Sequence, residues 1–493
     1  MLFNSYIFIF IFLPISFFTY FFLLKKRYII AAKSFLVFAS LFFYSWWNIS
    51  YLPLILSSLL FNYTIGNTLH INSKKSSINK KFLLMFGIVS NVLLLGYFKY
   101  TDFMIENINN IFESSIPLVN LALPLAISFF TFQQIAYLVD SYRGETSEYD
   151  FLNYALFVTF FPQLIAGPIV HHSEMMPQFA SPWNLLKKYK NISLGLFIFS
   201  MGLFKKVVIA DSFALWASKG FSNPEILSFF EAWATSLSYT FQIYFDFSGY
   251  TDMAIGVAFL FNIKLPINFN SPYKSLSIQD FWRRWHMTLS RFLKEYIYIP
   301  LGGNRKGTVN TYGNLLATFI IGGIWHGAGW TFVFWGFLHG IGLVMHRVWQ
   351  LFGIKLWTWL AWLITFNFIN VSWVFFRAEK WDDAVEILKA MIDYDNIVFT
   401  KSFIYIYDTT IKKLSFIMPN LEASSSTKFL FDATTFIWLG FIFILIRYKN
   451  SNMMISSKDV FSIGYTVYFA FLFLFSILAI SLSEYSEFIY FNF

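Results

Sequence analysis

Seven histidines and no cysteine set the chemistry this chain can do: His70, His171, His172, His286, His326, His339 and His346. Without cysteine there are no disulfides, thiolate metal or iron–sulfur sites, S-acyl intermediates or thiol catalysis, so a covalent carrier must use another side chain. His326 stands out, in Trp325-His326-Gly327-Ala328-Gly329-Trp330 and well inside an apolar run. An ionisable residue in a membrane segment is costly and marks function by default. The flanking glycines let backbone or substrate come close. A neutral imidazole, with an ordinary pKa of about 6.5, suits general-base work on an acceptor hydroxyl. The bland alternative is an imidazole hydrogen-bonded in a polar helix interface. The backbone N–H groups of Gly327, Ala328 and Gly329 are the candidate oxyanion donors.

His286 lies in Phe281-Trp282-Arg283-Arg284-Trp285-His286-Met287-Thr288-Leu289-Ser290-Arg291-Phe292-Leu293, a stretch of helical character. On one continuous helix Asp280, Arg284, Arg291 and Glu295 share a stripe. That stripe is either an ion-paired face of an interfacial helix with tryptophan anchors, or a basic cytoplasmic mouth for an anionic donor. In the second case Trp282, Arg283 and Arg284 meet a phosphate-bearing cofactor. Asp246 and Asp252, six apart in a membrane run, are either salt-bridge partners of Lys205 or Lys206 or the lining of a polar tunnel. His171 and His172 are adjacent, point apart on a helix and suit a surface role, so no metal site is expected. No HExxH, P-loop, strand-linked GxGxxG or GxSxG occurs.

The elements that must hold these residues are membrane helices. Of 493 residues 57% are hydrophobic and 13% charged, with a mean hydropathy of +0.57. A soluble protein carries roughly 25% charged residues, so a soluble multidomain enzyme is excluded. The net charge of +9 sits in short Lys/Arg clusters between apolar runs. That is the pattern of cytoplasmic loops over anionic lipid, and no nucleic-acid partner is implied. Spans are expected near 2–24, an uncleaved anchor, then near 28–47, 51–70, 82–98 and 118–139. Residues 151–170, broken by Phe161-Pro162 and Ala166-Gly167-Pro168, read as a re-entrant hairpin. Spans near 191–210 and 226–262 follow. Residues 313–345 are too many for one span and too few for two with a loop, so a second bent, partly re-entrant element is expected there. Spans near 351–376, 429–446 and 460–482 complete the chain. The clusters at Lys25-Lys26-Arg27, Lys74-Lys75, 264–312 and 447–458 then lie inside, and a loop at about 378–428 and the tail 483–493 lie outside.

In order along the chain stand Leu123-Pro124-Leu125-Ala126-Ile127-Ser128-Phe129-Phe130-Thr131-Phe132-Gln133, Phe161-Pro162-Gln163-Leu164-Ile165-Ala166-Gly167-Pro168-Ile169 and residues 244–253. Asn268-Phe269-Asn270-Ser271-Pro272-Tyr273, residues 280–303 and residues 322–340 follow. With these blocks the chain resembles the membrane-bound O-acyltransferases, in their bacterial alginate and peptidoglycan O-acetyltransferase branch. The resemblance implies a single all-α polytopic membrane domain, a bundle of about ten to twelve transmembrane and re-entrant helices around a central tunnel. Its motif-bearing core covers about 120–380. It implies His326 as the catalytic histidine, His286 as the second characteristic one, and His339 at a further family position. Trp325, Trp282, Arg283, Arg284, Asp246 and His339 become candidates for the substrate path. The implied reaction takes an acetyl group from a cytoplasmic thioester, acetyl-CoA being the expected donor, with no bound cofactor. A periplasmic SGNH-type partner would place it on a polysaccharide, peptidoglycan ahead of alginate-like polymers. The implied location is the bacterial inner membrane. The tail Phe488-Ile489-Tyr490-Phe491-Asn492-Phe493 resembles the C-terminal tyrosine motif of a small protein of the D-alanylation system. That makes Tyr490 a candidate acyl carrier, against the plainer role of an interfacial aromatic. Acyl transfer to a lipid or protein, and transport, are the rival functions.

Overall fold

The computed structural model describes residues 1–71, 79–146, 150–398, 431, 433–457, 460–482 and 488–489, and among these there is no strand. The helices are α1 (Leu13–Lys25, entered through a π turn at Phe8–Phe12), α2 (Ile29–Ser45), α3 (Leu52–Ile71), α4 (Lys80–Phe112), α5 (Ile127–Arg143), α6 (Phe151–Thr159) and α7 (Phe161–Leu164). Next come α8 (His172–Ala180), α9 (Tyr189–Phe204), a π turn (Lys205–Ala210), α10 (Asp211–Phe221), α11 (Phe229–Leu260), α12 (Ile278–Trp282), α13 (Met287–Leu293) and a π turn at Lys294–Tyr298. The last are α14 (Thr308–His326), α15 (Trp330–Leu351), α16 (Thr358–Arg377), α17 (Trp381–Ala390), α18 (Ala433–Leu445), α19 (Ser451–Ile455) and α20 (Ile463–Leu482). Six of the described helical segments are long and apolar enough to cross a membrane.

α11 is the axis of the molecule, buried along nearly its whole length. A helix without a polar face belongs in the interior. It lies against α9 at backbone distance, because a Cβ on Gly195 or Gly202 would stand 2.6 Å from the carbonyl of Gly256 or Gly249. Small residues of this kind bring helices together in lipid, where packing and hydrogen bonds replace the hydrophobic drive. Another close pair joins α14 to α15, where a Cβ on Gly323 or Gly336 would collide with the opposing backbone.

Three expectations need correction. Residues 313–345 are the middle of a full antiparallel hairpin, not a bent element. α14 and α15 begin in the polar 308–312 stretch and run on to 351, so both are long helices joined by a three-residue turn. The expected span at 118–139 begins only at Ile127, after Ala126 takes a left-handed conformation. Residues 280–295 are not one helix. α12 ends at Trp282, His286 is left-handed at φ 41°, and α13 starts afresh, so the predicted charge stripe breaks. The Pro/Gly-broken stretch at 151–170 forms only the short, buried α6 and α7, neither long enough to cross.

Candidate active site

His326 is the last residue of α14 and is 2% exposed. Gly327 and Gly329 are extended, at φ −160° and −171°, so the turn does not need glycine for its torsions. It needs it for room, because a Cβ on Gly327 would enter the Phe332 ring. The imidazole sits in an aromatic box, its centroid 4.9 Å from Trp325, 5.0 Å from Trp335 and 5.2 Å from Phe376. Trp325 stacks on Phe132 at 4.8 Å, and Phe132 on Phe292 at 4.0 Å. This stacking fixes the ring plane of Trp325.

His286 and His339 stand on either side of this box. The His286 ring is 6.4 Å from Trp325 and 4.8 Å from Phe247. Its Nδ1 lies 3.2 Å from Asn268 Oδ1. That same oxygen accepts from the Thr288 N–H at 3.2 Å and hydroxyl at 2.8 Å. Thr288 Oγ1 in turn accepts from the Ile169 N–H at 3.0 Å. Three of the ordered sequence blocks thus meet at Asn268. The His339 ring lies 4.7 Å from Trp335. Its Nδ1 accepts from Trp282 Nε1 at 3.1 Å, and its Nε2 pairs with Ser372 Oγ at 3.2 Å. His286, His326 and His339 are therefore linked ring to ring through Trp325 and Trp335, all buried.

The arginines go elsewhere. Arg283 is exposed, and Arg284 pairs with Asp280 at 2.9 Å. Arg291 forms a bidentate pair with Glu174 of α8. Burial pushes the Glu174 carboxyl up, but its hydrogen bond to and charge attraction for Arg291 outweigh that and hold it below the usual carboxylate range. Asp246 is not at His326. It is buried on α11 against Lys206 at 2.9 Å, and Lys206 also holds Asp211 at 2.6 Å. Lys205 reaches Asp252 at 2.6 Å. Of the two alternatives for the membrane acids, salt bridging is what the side chains do.

His171 and His172 depart from expectation. His171 precedes α8 in extended backbone, so the two rings do not diverge as on a helix. Both Nε2 atoms face Asp140 Oδ2, at 2.7 and 3.0 Å, and the Tyr296 hydroxyl donates to the same oxygen at 2.7 Å. Asp140, His171 and His172 have metal-ligand types within reach of one another, and as hydrogen bonds their contacts join α5 to α8.

Tyr490 lies outside the described residues. Two residues before it, Phe488 is buried and stacks on Tyr250 at 4.5 Å, with Phe247 at 5.9 Å. The Ile489 N–H donates to Asp246 at 2.8 Å. Phe247 therefore touches both the tail and His286.

Asn268, Ser372 and Lys99 escaped the sequence reading. Asn268 stood inside a recognised block, but an amide carries no signal of its role. Lys99 carried one. It is the one cation of α4 beyond the Lys80-Lys81 pair that opens the helix, and its ammonium meets the carbonyl of His326 at 3.0 Å. A separate cleft of about 1610 Å³, lined by Tyr273, Lys274, Trp357, Trp362 and Arg447 among others, opens away from His326.

Comparison with known proteins matches residues 42–378 to the model of the membrane-bound O-acyltransferase family. The chain is 49% identical to "Peptidoglycan O-acetyltransferase" of Helicobacter pylori, over 100% of this chain and 98% of that protein. It is 39% identical to "Probable alginate O-acetylase AlgI" of Pseudomonas aeruginosa, over 80% and 75% of the two chains. It is 26% identical to "Teichoic acid D-alanyltransferase" of Bacillus subtilis, over 62% and 80%.

Proposed function

The chain belongs to the membrane-bound O-acyltransferase family, and from that premise we propose that it moves an acetyl group from a cytoplasmic thioester across the bacterial inner membrane for O-acetylation of peptidoglycan. The observation that carries this is His326, buried in an aromatic box at the glycine turn of α14 and α15. The full-length likeness to a peptidoglycan O-acetyltransferase favours that polymer over an alginate-like one, because the alginate relatives match only 80% of this chain.

Charge supports that direction of transfer. Lys294, Arg305 and Lys306 precede α14, and positive loops face the cytoplasm. The 19 residues of α14 rise about 28 Å, close to the hydrocarbon thickness of about 30 Å. His326 then stands toward the outer side. Acetyl-CoA is the donor we infer, its anionic end toward the basic cytoplasmic stretch and its thioester reaching His326.

In the transfer, His326 accepts the proton of an acceptor hydroxyl as its oxygen bonds to the thioester carbonyl carbon. The carbon–sulfur bond then breaks and the thiolate takes the proton back from the imidazolium. The site is buried and its rings are packed against one another, so little reorganisation accompanies the step. Tyr490 is the carrier hydroxyl favoured here. A phenol of pKa about 10 forms an ester that remains a reactive donor, and Phe488 and Ile489 anchor the chain two and one residues before it. An SGNH-type partner outside would take the acetyl group from that ester to the polymer.

The test is the O-acetyl content of purified peptidoglycan, measured as alkali-released acetate. Cells carrying His326→Ala as their one copy should lose it at normal membrane levels of the chain, and Tyr490→Phe should match them. Normal acetate in the His326→Ala strain would end this assignment. Sidedness is tested separately, and the cysteine-free chain makes it clean. A cysteine at Asn310 should react only with permeant maleimide, and one at Asp395 with impermeant maleimide added outside. The opposite labelling reverses the topology.

A further inference from the structure

A helix leaves its last four carbonyls without intrahelical donors, and inside a membrane protein no water replaces them. In α14 these are the carbonyls of Gly323, Ile324, Trp325 and His326. The usual remedy, a left-handed glycine that folds the chain back on the helix end, is missing, since Gly327 is extended. Its N–H reaches only the Gly323 carbonyl, at 3.4 Å. The other three carbonyls are met by two consecutive residues of α4. The Tyr100 hydroxyl donates to Ile324 at 2.6 Å. The Lys99 ammonium donates to Trp325 at 2.6 Å and to His326 at 3.0 Å, and its third contact is Ser128 Oγ at 3.4 Å. The Lys99 ammonium also lies 6.0 Å from the centre of the Trp325 ring.

On the reading of His326 as the base, we infer that Lys99 and Tyr100 are positioning residues, a cap supplied by α4 that fixes the catalytic end of α14. The chemistry suits the place. A cation is favoured at the negative end of a helix, and three ammonium N–H groups match the two carbonyls and one hydroxyl in reach. The Gly-Ala-Gly turn gives the backbone after His326 little stiffness of its own, so the orientation of the imidazole depends on holding these carbonyls. Misplacing a catalytic group by about 1 Å costs on the order of a hundredfold in rate. Neither α4 residue touches the reacting atoms in this arrangement. Both act through the backbone of residues 324–326.

The experiment uses the full chain as the sole copy in cells, reading alkali-released acetate per unit of peptidoglycan and chain level by immunoblot. Lys99→Met keeps the length and loses the donors, and should lower acetate at least about tenfold at normal chain level. Lys99→Arg restores donors to both carbonyls and should stay within about threefold of wild type. Tyr100→Phe frees one carbonyl and should cost about threefold. Rescue by arginine is what a merely space-filling lysine would not show. Lys99→Met acetate within twofold of wild type, or Lys99→Arg as low as Lys99→Met at equal chain level, overturns the inference. If Lys99→Met does not accumulate, Tyr100→Phe decides, and wild-type acetate in that variant overturns it. A His326→Ala strain run in parallel separates the failures. Unchanged acetate there overturns the assignment of the base and the inference with it, whereas acetate lost there and kept in Lys99→Met sinks the inference alone.

Discussion

The turn between α14 and α15 and the seam between α9 and α11 bury polar groups in the same apolar medium by opposite means. At the turn, three imidazoles are walled by tryptophan and phenylalanine, and no carboxylate approaches His326 within ion-pair distance among the described residues. At the seam, Lys206 is matched by Asp246 and Asp211, and Lys205 by Asp252 with the Ser451 hydroxyl on the same oxygen. The difference follows from what each place must do. On the proposed role of His326 as a base, an adjacent carboxylate would keep its ring protonated. A scaffold needs one geometry, and paired charges in low dielectric are stiff but unforgiving.

The largest effect on the fold should come from the seam. Asp246→Ala removes a buried carboxylate partner of Lys206 and the acceptor of the Ile489 N–H. Losing one member of a buried pair costs about 3–5 kcal/mol. The variant should fall well below wild type in membrane level and in thermal midpoint in detergent, while His326→Ala equals wild type in both. Equal stability of the two variants would erase the contrast between the regions. The next effect belongs to the turn. His339→Phe keeps the aromatic packing but strands Trp282 Nε1, at about 1–3 kcal/mol for a group left unpaired, while Ser372 Oγ keeps its bond to the Ile369 carbonyl at 2.8 Å. Polymer acetate should drop several-fold while the chain still accumulates. A drop as complete as in His326→Ala would make His339 part of the chemistry and not its frame. The smallest effect is at the rim. Asn62 and Asn91 exchange amide hydrogen bonds between α3 and α4, at 3.2 and 2.7 Å. Interhelical bonds of this kind average about 0.6 kcal/mol, so Asn91→Leu should shift the thermal midpoint by only a degree or two and leave acetate unchanged.

The sequence made the seam legible only as a choice and the turn legible almost outright. Lys205, Lys206, Asp246 and Asp252 were visible as intramembrane charges, but their pairing depends on how α9 lies on α11, which glycine spacing alone does not set. His326 announced itself through its glycines, because few side chains survive in an apolar run without a task. The hairpin that carries it was misjudged for a physical reason. Its helices borrow polar residues at both ends, so counting the apolar stretch shortened them. His286 was drawn onto a continuous helix because periodicity does not register a single left-handed residue. Lys99 was lost at a boundary. A span ended at residue 98 turns the lysine into a terminus, whereas a helix that runs on to Phe112 puts it in the interior.

The π turn at Lys205–Ala210 has a consequence in phase. It holds one residue more than an α-helical turn would and absorbs it by widening, so the helix after it keeps its phase on α11. Removing one residue between 205 and 210 would restore an ordinary α turn and leave Phe213 and Ala217, both wholly buried, facing the same neighbours. Removing two would rotate α10 by about 100° and swing them away. The segment thus behaves as a vernier with one residue of slack.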